Sequence, residues 1–247
     1  PRRAQARITR IAIEPAQDQE NISCGYTVNN KAGLEINRSS KISFDDGRIK
    51  LIWRGKEITA GLGLYTSFCS KGQWYDSSQA LWEIKETSIN KLKAVGRWPW
   101  IPVIQSWQIT TFKNGIFLDI DSEIYRACQL DAQEFNLFLT EDYRKWSADG
   151  KQGYFYEEFS QNDLMRFRIW ISKAAKQKIG VKRKIFRLPS VSLSYLGNEK
   201  NAYFIIENAN ILGVKGRLIQ YLVTHNNTDC VRKPNKYNFF QGQIDLK

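Results

Sequence analysis

The chain has 247 residues, 42% hydrophobic and 13% aromatic, with eight Trp, thirteen Phe and eleven Tyr. That much apolar surface excludes intrinsic disorder and supplies a core for one large domain or two small ones. The net charge of +12 admits acidic partners, while no apolar run approaches the roughly 20 residues a membrane-spanning helix needs.

The chain opens on Arg2, Arg3, Arg7 and Arg10 with no apolar stretch behind them, so no signal peptide is read. The first residue is Pro1 rather than Met, which suggests a chain cut from something longer. Residues 1–11 are therefore expected to be a basic tail or linker from a preceding module, and 12–247 a single domain.

From there the dominant period is two, the signature of strands. Strand-like segments follow in order at 48–53, 81–86, 91–95, 104–109, 115–121, 134–139, 191–195, 202–207, 216–223 and 237–246. Turn signals separate them at 45–47, 71–72, 113–115, 196–198 and 225–227. Asp46-Gly47 and Asn114-Gly115 are dipeptides that two-residue hairpins favour, because both central positions need positive φ. Gly61 and Gly63 precede neither a Gly-Lys-Ser/Thr run nor a helix, so they read as a tight bend rather than a phosphate loop.

Helix is scarce. Thr140–Trp146 carries a capping residue, acids in its first turn and bases in its last, and predicts one or two turns. Residues 172–177 are a second short candidate. Neither can cross over a parallel sheet. The expected fold is all-β: a large antiparallel β-sandwich, or supersandwich, of roughly 14 to 18 strands with one or two short helices.

The charge is localised. Nine bases and no acid lie between Asp163 and Glu199, and with the N-terminal arginines they hold 13 of the 37 Lys and Arg. Within this ribbon Arg166, Arg168, Lys182, Arg183, Lys184 and Arg187 form a candidate basic patch that could steer an acidic glycan or a phosphate. The four Cys are scattered and there is one His, so neither a zinc site nor any other metal or cofactor is expected. Unpaired, buried thiols would suit a reducing compartment, which favours the cytoplasm.

Chemistry concentrates between 61 and 107, where five of the eight Trp fall. Sugars offer apolar C–H faces ringed by hydroxyls, so their sites combine flat aromatic platforms with hydrogen-bonding side chains. Trp74, Tyr75 and Asp76 supply that mix in one segment; Arg97, Trp98, Trp100 and Gln105 supply it in another. These seven are the candidate ligand-binding residues. Asp119, Asp121 and Glu123 alternate with aliphatics and read as a solvated strand face. With Asp76 and Glu134, the first two would be the catalytic candidates if the chain were a carboxylate-based enzyme. His225 stands beside Asn226 and Asn227 in a turn and reads as a surface residue, which leaves no nucleophile–histidine pair.

The segments at 47–53, 58–59, 63–67, 72–77, 101–107 and 237–244 together resemble the galactose-mutarotase-like supersandwich modules attached to bacterial polysaccharide-processing enzymes. The resemblance spans roughly residues 20–247. It implies two large antiparallel sheets with a sugar site on a concave face or its rim. It also implies a His and Glu acting together at the reacting sugar, and a single His in a turn departs from that pattern. The resulting expectation is a non-catalytic carbohydrate-binding domain of a larger bacterial glycan-synthesising or glycan-modifying protein. A carboxylate-based lyase or hydrolase is the enzyme alternative. Nucleic-acid binding through the basic ribbon and its interleaved Phe167, Trp170 and Phe186 is the third.

Overall fold

The structure, a computed structural model, describes residues 30–148, 150–156, 159, 168–172, 178–182, 188–225 and 231–247. Its strands run β1 (Lys31–Asn37), β2 (Ser40–Asp45), β3 (Arg48–Trp53), β4 (Lys56–Glu57), β5 (Thr59–Ser70), β6 (Gln73–Asp76) and β7 (Leu81–Thr87). They continue as β8 (Lys91–Arg97), β9 (Val103–Phe112), β10 (Gly115–Ile124), β11 (Cys128–Gln129), β12 (Ala132–Thr140), β13 (Lys145–Ala148) and β14 (Lys151–Tyr154). The last are β15 (Arg168–Ser172), β16 (Lys178–Lys182), β17 (Val191–Tyr195), β18 (Ala202–Ile211), β19 (Val214–Thr224), β20 (Val231–Arg232) and β21 (Asn235–Leu246).

Ten strands form one sheet in the order β1-β2-β3-β5-β12-β19-β18-β15, with β4 beside β3 and β6 beside β5. Nine form the other, β14-β13-β16-β17-β21-β10-β9-β8-β7, and β11 pairs with β20. The fold is an all-β antiparallel sandwich. Its described residues hold 21 strands rather than 14 to 18, because three are two-residue bridges that periodicity cannot reveal.

Both sheets turn an apolar face inward, as alternation requires. β9 reads buried at every second residue, Val103, Gln105, Trp107, Ile109 and Thr111. Between the sheets Phe44, Trp82 and Trp107 meet edge-on at 4.9–6.1 Å, and Trp98 meets Phe68 at 5.1 Å. β21 departs from alternation at a bulge: Ile120 pairs with Phe240 but Asp121 with Asn238. The extra residue lets consecutive Phe239 and Phe240 both be buried; Phe240 stacks on Phe135 at 3.9 Å.

The turn at Asp46-Gly47 has positive φ at both residues, 46° and 70°, as a two-residue hairpin demands. The second Asn-Gly dipeptide behaves otherwise. Phe112 pairs with Gly115, so Lys113 and Asn114 make the loop and Gly115 begins β10. What Gly115 supplies is room: a Cβ there would stand 1.9 Å from the Ile244 carbonyl oxygen of the neighbouring strand. Gly61 and Gly63 take positive φ within β5, consistent with the expected bend.

The helix expected at Thr140–Trp146 does not form. Glu141 and Asp142 make a turn, and Lys145–Ala148 pairs with β14 and β16 instead. One turn of helix offers too few hydrogen bonds to compete with two strand partners. The only helical element among the described residues is a 3₁₀ turn at Ser77–Gln79, capped by the Asp76 carboxylate. Residues 173–177 of the second helix candidate, and the tail at 1–11, lie outside the described residues.

Candidate site on the outer face of the ten-stranded sheet

Alternation decides which groups face outward. In β5 Leu64 and Phe68 point into the core and Thr66 reaches the opposite sheet, so Tyr65, Ser67 and Cys69 face out. The β5–β6 hairpin sets Asp76 opposite Ser67 and Trp74 opposite Cys69, which carries both side chains to that same face. On the other flank β12 sets Glu134 opposite Ser67 and Asn136 opposite Tyr65. β19 adds Gln220 opposite Asn136.

These groups form a polar row with an aromatic at its end. Gln220 Nε2 donates to Asn136 Oδ1 at 3.0 Å, and Asn136 Nδ2 donates to Glu134 Oε2 at 3.3 Å. Burial, then the nearby Glu134, Asp76 and Glu207 carboxylates, push the Tyr65 phenol far above its usual range and keep it a neutral donor. Trp74 is 46% exposed. Asp76 and Glu134 flank Ser67 from neighbouring strands, so their backbones stand two strand spacings apart, about 10 Å.

The other sequence candidates divide. Tyr75 faces the opposite way from Trp74 and Asp76 and packs half-buried against the core. Trp98 is fully buried, and its indole N–H donates to the Asp76 carbonyl at 3.2 Å. Gln105 is also fully buried, a core junction that accepts from Thr66 Oγ1 and Trp107 Nε1 and donates to Ser122. Both lie on the inward phase of their segments, sealed from the surface. Trp100 is 67% exposed, and Arg97 lies over the Tyr125 ring at 5.7 Å.

The carboxylates named for the enzyme alternative divide between the two sheets. Asp119 and Asp121 stand on the outer face of the nine-stranded sheet, across the sandwich from Asp76 and Glu134. Both accept from Asn238 Nδ2, and Lys236 lies 3.7 Å from Asp121. The four therefore split into two pairs, Asp76 with Glu134 on one sheet and Asp119 with Asp121 on the other.

Of the basic patch, Arg166, Arg183, Lys184 and Arg187 lie outside the described residues. Arg168 begins β15 on one sheet and the exposed Lys182 ends β16 on the other. The Cys69 thiol is buried and Cys128 is half-buried, both unpaired, and burial pushes both thiols up. Among the described residues no cluster of His, Cys, Asp or Glu could hold a metal ion, and no helix is long and apolar enough to cross a membrane.

His225 was missed as a lining residue by sequence reasoning. It follows β19 and lines a cavity of about 530 Å³ that opens between the sheets. Its Nε2 is 2.9 Å from Gln133 Nε2, and Tyr237 Oη donates to Gln133 Oε1 at 2.7 Å. Burial, against hydrogen bonds that lower it, pushes Tyr237 up to about 12. No short-range signal could have revealed this, since the partners are separated by 92 and 104 positions.

The architecture is that of galactose-mutarotase-like proteins. A galactose mutarotase-like protein from Lactobacillus casei superposes with a TM-score of 0.59 at 7% identity, covering 88% of this chain and 100% of its own. A galactose mutarotase related enzyme from Lactobacillus acidophilus gives 0.58 at 7% identity, covering 88% and 97%. No family model matches the sequence, and no curated protein is similar to it at significance.

Proposed function

We propose that the chain is a non-catalytic carbohydrate-binding domain, one module of a larger bacterial protein that builds or modifies a glycan. The observation that carries this is Trp74, half-exposed on the sheet face that also bears the partly exposed Asp76 and Glu134. An open indole stacks on the C–H face of a pyranose, while carboxylates beside it accept from the ring hydroxyls. The mutarotase-like fold supports a sugar ligand, since its structural neighbours are a galactose mutarotase-like protein and a galactose mutarotase related enzyme. Binding without catalysis is favoured by the absence of any histidine from this face: the one His in the chain lies at the end of the sandwich.

A second reading follows from Asp76 and Glu134. Two carboxylates flanking one position on a sheet are the elements of acid–base glycoside chemistry, which needs no His. An array of defined glycans probed at two salt concentrations tests the binding reading. Signal that persists in salt and disappears in Trp74→Ala supports it; no glycan signal, or signal indifferent to that substitution, removes it. A signal that collapses with salt favours the nucleic-acid or polyanion alternative. Turnover of an oligosaccharide, abolished by Asp76→Asn or Glu134→Gln, would make the domain an enzyme.

A further inference from the structure

We propose that the cavity beside His225 is a second ligand site, one that holds a small oxyanion-bearing molecule through the guanidinium of Arg232. It is separate from the outer-face site. Gln133 shares the inward phase of β12 with Phe135 and Leu137, whereas Glu134 points out. Val223, Tyr237 and Phe239 complete an apolar floor between the sheets.

The described groups around this floor are rich in donors. Arg232 Nη2 approaches both ring nitrogens of His225, one of them at 3.1 Å, and Gln133 Nε2 approaches the same ring at 2.9 Å. A neutral imidazole has a single lone pair to share between them. Arg232 Nε is buried and has no hydrogen-bond partner. The Gln133 oxygen is already occupied by the Tyr237 hydroxyl. Lys233 adds a second cation to the lining. The one carboxylate among the described lining residues, Glu199, accepts the backbone N–H of Asn201 at Oε1.

The buried Arg232 Nε thus wants an acceptor, and a carboxylate or phosphate supplies one in the planar or tripod geometry that the guanidinium fork matches. A volume of about 530 Å³ belongs to pockets that enclose whole small molecules rather than bare ions. The ligand class is therefore a small organic acid or phosphate ester, with its uncharged part on the Val223–Phe239 floor.

The single histidine makes the test clean, because one imidazole Cε1–H signal in the NMR spectrum reports on this pocket alone. The whole chain is titrated with glucuronate, glucose 6-phosphate, inorganic phosphate and, as an uncharged control, glucose. A saturable shift with glucuronate or glucose 6-phosphate and none with glucose is expected, and the better of the two identifies the anion as carboxylate or phosphate. Arg232→Gln is expected to weaken that binding about tenfold or more, Arg232→Lys to fall between, and Trp74→Ala to leave it unchanged. No shift with any anion at millimolar concentration, a shift of equal size with glucose, or an affinity untouched in Arg232→Gln overturns the proposal. The titration of the unaltered chain decides it even if the arginine variants fold poorly. Because Trp74→Ala reads only the outer face, loss of one site's binding is distinguishable from loss of the other's.

Discussion

The indole N–H of Trp98 donates to the backbone carbonyl of Asp76 at 3.2 Å, tying the 97–102 loop to the strand that carries the candidate sugar contacts. Two residues on, Trp100 is 67% exposed. The two rings answer to different forces. Trp98→Ala is expected to cost about 3–5 kcal/mol, the range for removing a large buried ring, whereas Trp100→Ala should stay within about 0.5 kcal/mol of the parent. Equilibrium unfolding in guanidinium chloride measures both. Comparable midpoints for the two variants would contradict this assignment.

Gln105 joins Thr66 of one sheet to Trp107 and Ser122 of the other through three side-chain hydrogen bonds of 2.8–3.2 Å. Gln105→Leu keeps the volume but leaves buried donors unpartnered, and should destabilise by about 3 kcal/mol. Thr66→Val removes one partner and should cost about 1 kcal/mol. If Gln105→Leu unfolds at the same denaturant concentration as the parent, the junction contributes nothing.

On the outer face, Asp76→Asn and Glu134→Gln are expected to weaken saccharide binding, while Asp119→Asn on the far sheet leaves it unaltered. Isothermal titration with a glycan identified by the array separates them. Equal effects from Asp76→Asn and Asp119→Asn would remove the assignment to this face.

Asp245 gives a pH signature. Burial pushes its carboxyl up, but hydrogen bonds from Gln243 and Lys178 and the nearby positive charge outweigh this and leave it below its ordinary value of 3.8. The folded state thus binds its proton later than the unfolded chain. Its contribution is present above about pH 4 and lost as pH falls through the lowered folded value. Asp245→Asn should cost about 1.5 kcal/mol at neutral pH, the worth of a hydrogen bond to a charged group, and the deficit should close in acid. Urea midpoints across pH 2–7 for both chains follow this directly, and a deficit constant with pH would overturn it.

The strand architecture was legible where alternation was strong, as at 104–109 and 134–139, because an inward apolar phase can be read from neighbours alone. Strands such as β1 and β16 escaped it, since Lys31, Gly33 and Gly180 dilute the pattern. For the site, the sequence put Trp74 and Asp76 in one segment, and they do share a face. It could not separate Trp98 from Trp100, since both sit in one irregular Pro-bracketed loop and only tertiary packing seals one of them. Nor could it divide the carboxylates: which of two stacked sheets receives a strand depends on pairings across the whole chain. His225, Gln133 and Tyr237 meet for the same reason.

β5 has consequences beyond its length. At Leu64 it pairs with Ile49 of β3, and over Ser67–Ser70 its neighbour on that flank becomes the four-residue β6. Among the described residues β6 has no second strand beyond it in the sheet. The indole of Trp74 therefore stands at a sheet edge, on a strand held by Tyr75 against the core and by the Trp98 indole on the Asp76 carbonyl. In the proposed site, such an edge leaves a sugar stacked on the indole open on one flank, with room for the next ring of a longer glycan.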